Sequence, residues 1–352
     1  MNSIKGYTEA KCLTEEEFFR RELNIELRYD ADPSSQEKTH TIIVTADPRP
    51  WLQHLRNATP KSKIFILVGN ETYEPWKYEL LNGLPSINLA LIYNPPKAYR
   101  FGAGTKSLLG NIIDGGFLNL SGKGNPVRDF RTATYKRKIT RSIKMDYDWL
   151  ELPQGYSNNF AKQVVSHLQS KNVILEKDQS LLNSRVVAEI RKTVSRDHTF
   201  SYIGQNGNHR RSTCLRIAAG KSKVVLHHRQ GFHGTSYSGD HTYLELLQSS
   251  KFTLVPPGFF NNSNHRYLES LIFGKLPAIL YQNSLDISTN NNWTKTLGFP
   301  YSHSFRFLLS ALEKMDESQY CSILNTAFSF EMKIITDLRV LLSRKIFELE
   351  RA

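Results

Sequence analysis

From Tyr243 to Leu280 the chain reads YLELLQSSKFTLVPPGFFNNSNHRYLESLIFGKLPAIL, and the reading of this stretch decides the fold. Apolar residues at helical spacing from Tyr243 to Ser250 lead into the short β-rich run Phe252 to Val255. A loop from Pro256 to His265 follows, then a second helical segment from Arg266 to Phe273 and the apolar run Leu276 to Leu280. Helix, strand, loop, helix, strand is the repeating unit of a parallel α/β sheet. The loop lies between a strand end and a helix start, where unpaired backbone N–H groups and the helix dipole favour an anion. Gly258 lets backbone approach a ligand, and Ser263 or Asn264 is placed to cap the helix. Arg266, in the first turn, adds a guanidinium fork suited to phosphate. Glu269 follows by three residues on the same helix face, where a carboxylate suits vicinal ribose hydroxyls. An ordinary intrahelical Arg–Glu pair fits the same spacing.

Outward from this stretch the alternation repeats. Thr199 to Gly204 and Lys223 to Leu226 read as strands separated by a helix from Arg211 to Ala219, and a helical tail begins at Phe305. In the first half, Thr41 to Ala46, Lys63 to Gly69 and Ile87 to Tyr93 are short strands with helical stretches between, and Pro48 to Ala58 reads as turn and helix. Thr14 and Glu17 have capping-box spacing at the start of a first helix. Leu152 to Ser157, rich in turn formers, separates the two sets and reads as a hinge. The expectation is an α/β protein of two Rossmann-like domains facing a central cleft. The first covers residues 1–155 and the second residues 156–330. A C-terminal helix over 331–352 packs back on the first.

Composition narrows the classes. The chain has 352 residues, too many for one ordinary core, and 39% hydrophobic with 11% aromatic residues exclude a disordered chain. No run approaches the length of a membrane span, and the start lacks the pattern of a secretory signal. Three scattered cysteines make neither a disulfide framework nor a zinc cluster and suit a reducing cytosol. Lys and Arg total 46 against 33 Asp and Glu, a formal charge of +13. Lys123, Arg128, Arg131, Lys136, Arg137, Lys138, Arg141 and Lys144, against Asp129 alone, hold about half of it. Such a stripe fits a solvated face, nucleic acid, an anionic membrane surface or a phosphorylated or lipid-linked partner. No nucleic-acid-binding motif accompanies it.

The spacing Tyr243-x3-Leu247-x2-Ser250-Lys251-Phe252, then Pro257-Gly258, Arg266-x2-Glu269-Ser270-Leu271 and Gly274-x2-Pro277, resembles the C-terminal motif of the exostosin-like glycosyltransferases. Phe200 to Arg216, with Gly204 and Arg211, is similar to the family's strand, glycine turn and arginine-bearing helix, and Val68 to Glu71 to its aspartate-glutamate after a strand. The sequence departs from the pattern at Asn70, where an aspartate is common, and at Tyr93-Asn94, a reduced form of a longer motif. The resemblance implies a GT-B fold and sugar transfer from a nucleotide-sugar donor to a glycan or lipid-linked glycan, by an inverting and metal-independent enzyme. The diphosphate then falls to Arg211 and Arg266, with Arg210, Arg216 and Lys251 as further contributors, and Gly204, Pro257, Gly258, Ser263 and Glu269 complete the donor site. No cofactor and no metal site are expected, and no Asp-x-Asp occurs in the chain.

Inversion needs a general base, for which Asp47, Glu71 and Asp114 are the candidates. His227, His228 and His233 are spaced poorly for a tetrahedral metal set and better for a sugar or base contact or a surface loop. The tryptophans suit core packing or sugar stacking. The expected location is the cytoplasm, in contact with the inner membrane face through the basic stripe. Rival readings are a transferase with a fucosyl- or Kdo-type donor and a catalytically silent nucleotide-sugar or carbohydrate-binding protein.

Overall fold

The computed structural model describes residues 4–8, 13–29, 41–68, 75–93, 109, 113–114, 145–153, 155–192, 194–204, 209–228, 242–256, 265–279, 302 and 304–351. In the first half run β1 (Ile4–Tyr7), α1 (Glu16–Glu22), β2 (Ile25–Arg28), β3 (Ile42–Thr45), α2 (Leu52–Asn57), β4 (Lys63–Leu67), α3 (Pro75–Glu79), β5 (Ile87–Ile92) and β6 (Trp149–Glu151). In the second run α4 (Asn158–Ser170), α5 (Ser184–Arg191), β7 (His198–Gly204), α6 (His209–Ala219), β8 (Val224–His228), α7 (Thr242–Ser249), β9 (Ser250–Val255), α8 (Arg266–Ile272) and β10 (Leu276–Ile279). Helices α9 (Phe305–Glu313) and α10 (Glu317–Arg351) close the chain.

The strands form two sheets, of order β2-β1-β3-β4-β5-β6 and β10-β9-β7-β8, and every strand pair is parallel. In each, the chain steps from its first strand to one side, returns, and continues on the other. The order therefore reverses between β1 and β3 and again between β7 and β9. These are the switch points at which doubly wound sheets open a crevice beyond their strand ends.

The expected strands match β3, β4, β5, β7, β8, β9 and β10 to within two residues at each end. Three strands, β1, β2 and β6, were not expected. Each is three or four residues long, and Gly6 interrupts β1. A Cβ at Gly6 would lie 2.7 Å from the Ile25 side chain, so β1 gains close approach to β2 at the cost of a readable strand pattern.

Side chains alternate across the first sheet as its pleat requires. Ile43, Phe65, Leu67, Ala90 and Ile92 pack against Trp51, Leu55, Tyr78 and Leu81. Ile42, Val44, Ile64, Ile66, Leu89 and Leu91 enter a second apolar cluster that continues through Phe18, Phe160 and Phe273 to Phe200, Phe252 and Leu254 of the other sheet. One continuous core thus spans both sheets. Helix α10 contributes Tyr320, Ile323, Leu324, Ala327, Ile335, Leu338, Leu342 and Ile346 to it and packs against α8 and α1. This helix runs unbroken through residue 331, so no element boundary falls there.

The connection expected to act as a hinge is held on both sides. The Tyr156 hydroxyl donates to Glu22 of α1 at 2.7 Å, and a Cβ on Gly155 would collide with the Phe18 ring. Asn158 donates through its backbone to the Thr14 carbonyl at 2.7 Å and through Nδ2 to that of Leu13 at 2.6 Å, and accepts at Oδ1 from the Glu17 N–H at 2.8 Å. The last contact corrects the expected capping box. Helix α1 begins at Glu16, the Thr14 hydroxyl turns to Glu15, and the free N–H of the first turn is met by Asn158 from 141 residues away.

Glu331 of α10 is buried against α8, and the half-buried Glu151 of β6 lies within range of its charge. Burial lifts Glu331 of α10 to about 7, against the hydrogen bond from the Tyr267 hydroxyl at 2.9 Å, and lifts Glu151 of β6 to about 8, with the charge of Glu331 adding to the shift.

Two predictions follow from these contacts. Gly155→Ala forces the Phe18 ring to move and lowers stability by about 1–3 kcal/mol in urea unfolding, whereas Gly220→Ala, where the new Cβ meets nothing closer than 3.5 Å, stays within about 0.5 kcal/mol of wild type. Between the ordinary carboxyl value and about 7–8 the native state retains protons that the unfolded chain has released, so stability falls as pH rises through that window. Glu331→Gln keeps an acceptor for Tyr267 and cannot ionise. Its unfolding midpoint changes less than that of wild type between pH 5 and pH 8.

Candidate functional site

The second switch point is built by the end of β7 and the helix that follows β9. Strand β7 runs beside β9 with Phe200 opposite Phe252, so Gly204 closes β7 at the carboxyl edge of the sheet. Helix α8 carries Arg266 back across this edge. Its Nη2 donates to the Ile203 carbonyl at 2.9 Å, and its guanidinium lies 5.2 Å from the centre of the Tyr202 ring. Gly204 has φ +150, and a Cβ there would come within 2.5 Å of Arg266 Nη2 and 2.9 Å of the Tyr202 hydroxyl. Only glycine meets both conditions. The guanidinium is therefore oriented by a carbonyl and an aromatic face at the place where an α/β sheet receives its ligand.

Glu269 does not join Arg266 there. Its carboxylate is 2% exposed; Oε1 accepts from the Ser157 N–H at 3.0 Å and the Ser157 hydroxyl at 2.8 Å, and Oε2 from the Tyr243 hydroxyl. The expectation of one shared face is corrected. Residues three apart on a helix differ by about 60° around its axis, enough to send the cation to the sheet edge and the carboxylate to the connecting chain. Two protein hydroxyls and a backbone N–H hold the oxygens that were expected to take ribose.

Asp114 is placed as a helix cap. It accepts from the Ser304 hydroxyl, from the Phe305 N–H at 2.6 Å and from the Arg306 N–H at 3.0 Å, at the start of α9 and 4% exposed. The geometry is that of a carboxylate meeting the orphan donors of a first turn, not of a base open to an acceptor hydroxyl. Asp47 follows β3 and takes Arg49 Nε at 2.9 Å on Oδ1 and 2.8 Å on Oδ2. The hydrogen bonds from Arg49 hold its carboxyl below the usual range, which weakens it as a base. Arg49 in turn lies over the Trp76 ring, 4.9 Å from its centre.

Arg211 stands in the first turn of α6, beyond the end of β7, and with Asp114 it flanks the buried Cys214 thiol. Burial pushes that thiol well up, the Asp114 charge adds to the shift and the Arg211 charge opposes it. Lys251 is at the opposite end of the sheet. It lies in the first residues of β9, where Nζ donates to the Met315 carbonyl at 3.3 Å and stands 3.6 Å from Glu317. It is not brought to Arg266, because side chains at the two ends of a six-residue strand are separated by roughly 17 Å. Arg216 is exposed on α6, and His227 and His228 end β8. Trp51 is core, and Trp149 packs at the edge of the first sheet's core.

Glu71, Pro257, Gly258, Ser263, Asn264, His233, Trp293 and the basic stretch 123–144 lie outside the described residues. The cap position of α8 falls on His265, which supplies no side-chain cap. Tyr202, Ser157 and His265 escaped the sequence reading. Tyr202 was recoverable, since it lies two residues before Gly204 and so on the same strand face; the other two carried no local signal.

Among the described residues no three of His, Cys, Asp or Glu are grouped to hold a metal ion, and no helix is long and apolar enough to cross a membrane. No protein-family profile and no curated relative matches the chain. Among solved structures it is similar to Anabaena HepE crystallised in complex with UDP, with 8% identity and a TM-score of 0.44 over 98% of this chain and 100% of that one. At that distance neither the ligand nor the residues of HepE carry over.

The cap and base roles of Asp114 separate in one variant. Asp114→Ala leaves three donors at the start of α9 unmet and lowers stability by about 1–3 kcal/mol in denaturant unfolding. A stability equal to wild type would show that the carboxylate is not needed as a cap.

Proposed function

We propose that the chain is a GT-B glycosyltransferase that moves a sugar from a nucleotide-sugar donor to a glycan or lipid-linked glycan acceptor. The observation that carries this reading is the guanidinium of Arg266, held against Gly204 at the switch point of the second parallel sheet. A diphosphate seated at this crevice meets a fixed cationic fork from Arg266, and Arg211 in the first turn of α6 adds a second cation beyond the same strand end. The motif resemblance supports the choice of a nucleotide sugar over other anions. Two arginines offset the diphosphate charge in the proposed site, so the transfer proceeds without a metal. The basic stretch 123–144 is proposed to meet an anionic acceptor or the anionic face of a membrane from the cytoplasmic side.

Transfer with inversion requires an unengaged base. Asp47 and Asp114 are both committed to protein donors, so Glu71 is the residue proposed for that role. The same commitment favours a second reading, a nucleotide-sugar-binding protein without turnover.

Thermal unfolding with UDP, GDP, CMP, dTDP and their sugars tests the donor site. A ligand at about 100 times its Kd stabilises by roughly 2.7 kcal/mol, a rise of several degrees. We expect one nucleotide to raise the midpoint and Arg266→Ala, folded by circular dichroism, to lose the response. A uniform lack of response from the wild type rejects the proposal. Where a nucleotide binds, its release from the matching sugar in the presence of glycan acceptors separates the transferase from the silent binder.

A further inference from the structure

His265 leads into α8, and its imidazole lies between two acceptors. Nδ1 is 3.0 Å from the Gly155 carbonyl oxygen, and Nε2 is 3.3 Å from Oε1 of Glu15. A carbonyl oxygen only accepts, so Nδ1 carries the hydrogen. A neutral ring then turns the lone pair of Nε2 toward a carboxylate oxygen, whereas an imidazolium donates from both nitrogens. Glu15 is buried and its second oxygen accepts from the Thr14 hydroxyl at 2.6 Å, which fixes its orientation. The three partners come from three parts of the chain. Glu15 precedes α1 beside the first sheet, Gly155 belongs to the connection, and His265 immediately precedes Arg266.

We propose that His265 is an imidazolium bridge between Glu15 and Gly155, and that it acts as a positioning residue. By fixing the first turn of α8 it sets Arg266 at the end of β7. The bridge itself does not depend on the donor-site reading; its effect on nucleotide affinity does.

Among the described residues, Glu15 is the carboxylate within ion-pair distance of the ring. Tyr93, after β5, is buried and its phenol is held well above the ordinary value, first by burial and then by the charge of Glu15, so it stays neutral. Arg266 turns to Ile203, and Glu269 is taken by Ser157 and Tyr243. Along α1, Glu17 pairs with Arg20 and Arg21, and Glu22 accepts from Tyr156 and Ser180. When the ring loses its Nε2 proton, attraction to Glu15 becomes repulsion and the first turn of α8 loosens. The bridge is therefore present below the imidazole titration and lost as pH rises through it.

The full chain, labelled at histidine Cε1 and at backbone amides, is followed by NMR from pH 5 to pH 9, with His265→Gln used for assignment. We expect the His265 ring to titrate about one pH unit higher in wild type than the same ring does in Glu15→Gln. The amide signals of Arg266 and Gly204 are expected to move with the wild-type midpoint and to lose that step in Glu15→Gln. A ring that stays neutral throughout, or equal midpoints in the two proteins, overturns the bridge. Arg266 and Gly204 amides that ignore the titration overturn the positioning role. If a nucleotide binds, its affinity by calorimetry falls several-fold across the same range in wild type and stays flat in Glu15→Gln. If none binds, the donor-site reading fails while the ring and amide titrations still decide the bridge.

Discussion

Ser157 offers both its backbone N–H and its hydroxyl to one oxygen of Glu269, and this buried contact ties the second sheet to the chain that joins the two sheets. A carboxylate out of water is tolerated only when its oxygens are satisfied, and each hydrogen bond to a charged group contributes about 1.5–3 kcal/mol. Ser157 is also the residue whose hydroxyl caps α4. One side chain therefore begins a helix, ends the connection and fills a carboxylate on α8. One turn earlier, at the cap position that leads into α8, His265 meets the carbonyl of Gly155. Residues four apart share a helix face, and residues two apart share one side of an extended chain, so two contacts of α8 grip two alternate residues of the connection. From the other side α1 holds the residues between and after them, through Glu22 on Tyr156 and Glu17 on Asn158.

The clamped connection explains what sequence reading could and could not reach. Strands β3, β4 and β9 announce themselves as runs rich in β-branched and aromatic residues, and β5 as a short apolar run, each bounded by turn formers. Parallel pairing buries both faces, which gives the near-continuous apolar runs that make such strands legible. Arg266 and Gly204 were legible as chemistry, one as a phosphate-type cation after a loop and the other as a glycine ending a strand. Their contact was not, since it depends on α8 folding back over β7 across 62 residues. The hinge reading of Leu152 to Ser157 illustrates the same limit. Turn formers mark where a chain bends, but whether the bend is free depends on Phe18, Glu22 and Glu269, which are distant in sequence.

The carboxylates show a related pattern. Asp47 and Asp114 were singled out as acids near strand ends and glycines, positions at which catalytic groups are often carried. Those positions also gather unpaired backbone donors and surface cations, and in this chain the donors win. Asp114 serves three donors around the start of α9, and Asp47 serves the Arg49 side chain and its N–H. Spacing along the chain cannot distinguish the two uses, because both need a short acid beside a turn. The distinction appears only when α9, 190 residues beyond Asp114, is seen to begin at its carboxylate.

Helix α8 has only seven residues, yet it serves both the joint and the candidate site. His265 and Glu269 hold the connection, Tyr267 reaches Glu331 of α10, and Arg266 stands at the crevice. A helix so short has little rigidity of its own, and its direction is set by what its side chains grip. Any displacement of the connection is therefore passed to Arg266 within one turn. In the proposed donor site an anion would thus be held by the same short helix that grips the connection.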